Sequence, residues 1–108
     1  MRQTFARRRQ LAINFDILTN VARLRYTLEK MEASVGIHQL TEAEKYVLSA
    51  AALAAKADGS FSLHDLEAQD LIADMPVSTK FRTLRCLIDK GKLKRAGAGR
   101  KSDYIIVA

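Results

Sequence analysis

The chain has one cysteine, one proline and no tryptophan, and aromatic residues make up only 6% of its 108 positions. A lone cysteine, Cys86, excludes an intramolecular disulfide framework and fits a reducing compartment, where such a residue usually packs rather than reacts. The scarcity of aromatics argues against a single-stranded nucleic-acid binder, which stacks successive bases on exposed rings. No apolar run approaches a membrane span. The start, MRQTFARRRQLAINF, lacks both the uninterrupted apolar stretch and the small-residue cleavage site of a secretory signal. A soluble cytoplasmic protein without a membrane partner is expected. Also missing are the constellations of catalysis. His38 and His64 have no partner at metal-ligand or triad spacing, the carboxylates are scattered, and no glycine-rich loop follows a strand to cradle phosphate. The sequence therefore predicts no enzyme, no metal and no cofactor.

What is present is positive charge, unevenly placed. The net charge is +6, a balance that favours a polyanionic partner without deciding which. From Glu29 to Thr79 the chain is acidic, with Glu29, Glu32, Glu42, Glu44, Asp58, Asp65, Glu67, Asp70 and Asp74 against Lys30, Lys45 and Lys56. Cations gather in the N-terminal arm at Arg2, Arg7, Arg8 and Arg9. They gather again from Lys80 to Lys101, at Arg82, Arg85, Lys90, Lys92, Lys94, Arg95 and Arg100, opposed there by Asp89. Brought to one surface, these groups would form a phosphate-binding footprint.

Three segments follow from the pattern. Residues 1–10 read as a basic arm. Residues 11–36 read as one long helix, free of glycine and proline from Leu11 to Val35, whose apolar residues Ile17, Val21, Leu24, Leu28, Met31 and Val35 recur in alternating steps of four and three. That is a heptad stripe, which could pack on its own domain, on a partner subunit or on both, and a homodimer is expected. Phe15, Leu18 and Ala22 widen the stripe, and Gly36 ends the helix.

Residues 37–108 read as one small domain. Thr41 with Glu44 three residues on is a capping box, and Leu40 before it can act as a staple, opening a helix that runs to the Asp58-Gly59 stop. Ser60 to Leu63 is short and partly alternating, which predicts a strand. Ser62 then caps a helix from Leu63 to about Met75, with Leu63, Leu66, Leu71, Ile72 and Met75 as its apolar face. Pro76 suits the first turn of the next helix. In that helix, from Pro76 to Lys90, the spacing of Phe81, Leu84, Leu87 and Ile88 predicts a core face, leaving Ser78, Thr79, Lys80, Arg82, Thr83 and Arg85 to project toward base edges and phosphates. Gly91 marks a helix stop. Leu93-Lys94-Arg95 and Tyr104 to Val107 then predict two strands around the basic tip Gly97-Ala98-Gly99-Arg100-Lys101. Helix, glycine, strand, basic loop and strand in this order predict a mainly α fold with a small β-wing, a winged helix-turn-helix with a long N-terminal helix.

At this point the run from Leu40 to Val107 resembles the winged-helix domain of the MarR-like transcriptional regulators. The matching features are LTEAEKYVLSAA, LHDLEAQDLIADM and the pattern P-x-S-T-x-x-R-x-L-x-x-L-x-x-x-G-x-L-x-R from Pro76 to Arg95, which IclR-like regulators also carry. The resemblance implies that Ser78, Thr79, Arg82 and Arg85 face the major groove or its phosphates, and that Arg100 or Lys101 sits at the wing tip. Family members usually continue into C-terminal helices that complete a dimer and help to form an effector pocket. This sequence stops at Ala108, so no small-molecule effector pocket is expected and dimerisation falls to the N-terminal helix.

The function expected is that of a dimeric transcriptional repressor reading duplex DNA in the major groove with the helix from Pro76 to Lys90, and flanking DNA with the 96–103 wing. Its DNA contacts are expected at Ser78, Thr79, Lys80, Arg82, Thr83, Arg85, Lys94, Arg95, Arg100 and Lys101, with Arg7, Arg8 and Arg9 as an arm. The alternatives are a winged-helix module that docks a protein, and an accessory DNA-binding protein in replication or partition of a mobile element.

Overall fold

A computed structural model of the chain describes residues 13–96 and 103–107. They form a mainly helical structure with one three-stranded antiparallel sheet, divided into two compact units, residues 1–39 and 40–108. The basic arm with Arg7, Arg8 and Arg9, and the wing-tip residues Arg100 and Lys101, lie outside the described residues.

The first unit holds helix α1, Phe15–Ser34. It starts later than the glycine-free and proline-free stretch suggests, because the Asn14 carboxamide oxygen accepts from the backbone N–H groups of Asp16 at 2.8 Å and Ile17 at 3.1 Å, capping the helix there. It ends in a Schellman turn. Gly36 adopts φ +78°, its N–H donates to the Ala33 carbonyl, and the Ile37 N–H reaches back to Glu32. No residue of α1 is buried.

The second unit begins with helix α2, Glu42–Ala54, opened by the capping box: the Thr41 hydroxyl accepts from the Glu44 N–H, and the Glu44 carboxylate accepts from the Thr41 N–H. α2 stops before the Asp58-Gly59 signal. Ala55 is already extended, and the chain turns through Gly59, with the Lys56 N–H donating to the Ser60 carbonyl, to enter strand β1, Ser60–Ser62. Ser62 caps helix α3 as its position predicts, but α3 covers only Leu63–Glu67, and a separate 3₁₀ turn follows at Asp70–Ile72. The single helix expected to Met75 is broken for a packing reason. At about 100° per residue, an unbroken helix would set Ile72 on the opposite side from Leu63. The extended backbone at Gln69 rotates Ile72 inward, where it is buried with Leu66.

Helix α4, Val77–Asp89, begins just after Pro76, which holds the capping position rather than the first helical turn. A second Schellman turn ends it: Gly91 has φ +78°, its N–H donates to the Ile88 carbonyl, and the Lys92 N–H donates to Leu87. Strands β2, Leu93–Arg95, and β3, Asp103–Ile106, complete the sheet. The order is β1-β3-β2, so the last strand lies in the middle, with Phe61 and Arg95 both opposite Tyr104. Val47, Ala50 and Ala51 of α2, Leu84 and Leu87 of α4, and Phe61, Leu93 and Tyr104 of the sheet enclose the core with Leu66 and Ile72. The alanines of α2 let neighbouring elements approach closely.

Candidate nucleic-acid interface

Burial sorts the residues of α4 into two arcs, and the boundary differs from the apolar pattern. Lys80, Thr83, Leu84 and Leu87 face the core. Ser78, Phe81, Arg82 and Arg85 are exposed, and Thr79 is half-buried. Two residues expected on the reading face, Lys80 and Thr83, therefore turn inward, and one expected in the core, Phe81, is 43% exposed. The reason is geometric. At about 100° per residue the buried positions 80, 83, 84 and 87 fall within an arc of about 100°, and position 81 lies about 60° beyond its edge. The inward turn can use the lysine stem and the threonine methyl as apolar surface, since long cationic side chains bury their methylenes readily.

The open arc presents two guanidinium groups. Arg82 donates from Nη2 to the Thr79 hydroxyl at a long 3.4 Å, a weak tether that leaves its remaining donors free. Arg85 stands one turn from Phe81. These two border a cleft of about 220 Å³ together with Leu84, Ile88, Arg95 and Tyr104, so that α4 forms one wall and the sheet the other. Arg95 has its guanidinium carbon 5.6 Å from the centre of the Tyr104 ring, a cation–π distance. The ring is itself stacked on Phe61 with centroids 5.6 Å apart. The buried aromatic pair thus gives Arg95 a firm platform.

Lys94 does not share that wall. Successive strand residues point to opposite faces, so with Arg95 on the Tyr104 side Lys94 projects from the other side of the sheet, in register with Ile105. The structure brings Arg85 and Arg95 to one cleft, places Arg82 on the exposed arc of α4, and separates Lys94 from them.

Lys90 is engaged elsewhere. Its ammonium donates to both oxygens of Glu44 at 2.7 and 2.8 Å, joining the end of α4 to the start of α2. Lys90 and the Thr41 N–H hold the Glu44 carboxyl below the usual carboxylate range. The cation nearest the helix end is thereby neutralised. Asp58 is also held below its ordinary value, by hydrogen bonds from the hydroxyl and N–H of Ser60 in the turn before β1.

The heptad residues, five within α1 and Val35 at its C-cap, are all exposed, from 45% at Val21 to 69% at Leu24. Among the described residues no group of three His, Cys, Asp or Glu side chains is placed to hold a metal ion, and no helix is long and apolar enough to cross a membrane. Cys86 is half-buried with a free thiol. No protein-family model, curated protein or solved structure matches this chain.

Proposed function

We propose that this protein is a sequence-specific, double-stranded DNA-binding transcriptional regulator of winged-helix type, acting as a dimeric repressor. The observation that carries the reading is the open arc of α4, where Ser78, Arg82 and Arg85 project away from a core made by Lys80, Leu84 and Leu87. An α-helix fits the major groove, and arginine there makes bidentate contacts with guanine. In this reading the short turn between Ile72 and α4 corresponds to the turn of a helix-turn-helix, and strands β2 and β3 after α4 correspond to a wing. Arg95, on its aromatic platform, is suited to a phosphate beside the groove. In this reading Arg100, Lys101 and the arm at Arg7, Arg8 and Arg9 add backbone contacts.

The partner proposed for α1 is a second copy of the same helix. Val21, Leu28 and Val35 as one set of seam positions and Ile17, Leu24 and Met31 as the other make the two rows of an apolar seam for a partner helix. A dimer would present two reading helices to two half-sites.

Binding of a labelled random-sequence duplex, followed by anisotropy across a salt series, tests the reading. A DNA-binding protein binds at low salt and loses affinity steeply as salt rises, because each phosphate contact releases counterions. Absence of binding at low salt overturns it. One observation favours a protein-docking module instead: Val77 and Phe81, one turn apart on α4, are exposed apolar residues. A docking module has no need of affinity for duplex DNA, so the same experiment separates the two.

A further inference from the structure

Phe81 poses a question that the arginines do not. A large aromatic ring 43% exposed on a small domain loses the stabilisation that burial would bring, although the same helix buries a lysine and a threonine. The ring lies one helical turn from Arg85, and both border the cleft that Arg95 closes from the sheet side. Side chains four residues apart are separated by about 6 Å along a helix. Bases along one DNA strand rise about 3.4 Å per step. A helix lying along the groove therefore sets residues 81 and 85 over bases one or two steps apart.

In the major groove thymine alone presents a methyl group, and an apolar side chain such as phenylalanine is the partner for it. We infer that Phe81 is a specificity-determining residue that reads a thymine C5-methyl within two base pairs of a guanine held by Arg85. This rests on the DNA-binding reading above and adds to it the base that the aromatic residue selects. A phosphate contact would give a ring at this position nothing to pair with, whereas a methyl group in the groove lets the ring leave water on binding. Arg95, fixed over Tyr104 across the cleft, would flank the same step from the backbone side.

The test leaves the protein unchanged in its first arm. Duplexes are enriched from a randomised library with the full chain, and the enriched site is synthesised with thymine or with uracil, which pairs identically but lacks the methyl. Wild-type protein should bind at least one singly uracil-substituted site about fourfold more weakly, the worth of one buried methyl-sized group. Phe81→Ala should bind the thymine and uracil forms equally. Retention of the difference by Phe81→Ala would assign the methyl to another residue and overturn the inference. So would indifference of the wild type to every uracil position. In both of those outcomes the protein still binds an enriched duplex, so the DNA-binding reading survives. Failure of the wild type to bind any duplex at low salt removes that reading, and this one with it.

Discussion

Arg82 and Arg85 share the open arc of α4 but not their surroundings. Arg82 has only a weak tether to Thr79, whereas Arg85 stands in the wall of the cleft beside Phe81. Arg85 is therefore the more closely framed of the two for a base edge. Arg85→Ala should cost roughly 1–3 kcal/mol on the preferred site and relax selectivity at one base pair, measured by competition between the enriched duplex and single-base variants of it. Lys80 leads to the opposite expectation. Only 9% of it is exposed and its stem faces the core, so Lys80→Met, which keeps the stem and removes the charge, should leave the salt dependence of DNA binding unaltered. A slope smaller by about one would show that the ammonium reaches a phosphate. These two residues also mark where the sequence was hard to read. Hydrophobicity assigned Phe81 inward and Lys80 outward, and the rows 80, 84, 87 and 81, 84, 88 have equally good helical spacing, so periodicity did not choose between them. The choice was made by the packing of the whole domain, which buries residues 80 and 83, and the chemical identity of the residues pointed the other way.

At the scale of elements, local chemistry was legible wherever a short motif closes its own hydrogen bonds. The Thr41 and Glu44 box, the Ser62 cap and the turns at Gly36 and Gly91 could all be placed from residue type, because each satisfies backbone groups within a few positions. The break between α3 and the 3₁₀ turn could not. It depends on bringing both Leu66 and Ile72 into one core, a demand made by distant residues rather than by Gln69. The ion pair of Glu44 with Lys90 was equally hidden, since it joins residues 46 positions apart. It has a pH signature. Glu44 titrates below its ordinary range when folded, so the pair contributes fully above that range and its contribution is lost as pH falls through the depressed value. Glu44→Gln should destabilise the protein by about 1–2 kcal/mol near neutral pH, a figure that allows for the half-exposed lysine. The gap from wild type should then close in acid, as thermal melts between pH 7 and 3 would record. Gly91→Ala, by contrast, should cost about 1–2 kcal/mol at every pH. Nothing lies within 4 Å of the added methyl, and the penalty is the left-handed backbone alone.

At the scale of the whole molecule, the order of helices and strands was readable because each change of period coincides with a glycine, a proline or a cap. What α1 packs against was not, since a heptad stripe describes a surface and not its partner. The five seam residues within α1 and Val35 at its C-cap are exposed, and none of the 20 residues of the helix is buried. An isolated helix of this length is marginal in water, so the dimer reading makes its stability depend on a second chain. Leu24 and Leu28 are adjacent seam positions near the middle of the helix. Changing both to glutamate would set four carboxylates together across a parallel pair, a desolvation and repulsion that a short seam cannot offset. The double variant should sediment as a monomer and lose helical signal from the N-terminal segment. It should also bind a two-half-site duplex at least tenfold more weakly, because joining two reading helices makes the second contact intramolecular. Affinity for a single half-site should change little, since in the proposed reading the base contacts are made from residues 40–108, the other compact unit. If sedimentation shows an undiminished dimer, the subunits meet through another surface. If the variant is monomeric yet loses half-site binding as well, α1 supports the reading domain in addition to pairing two of them.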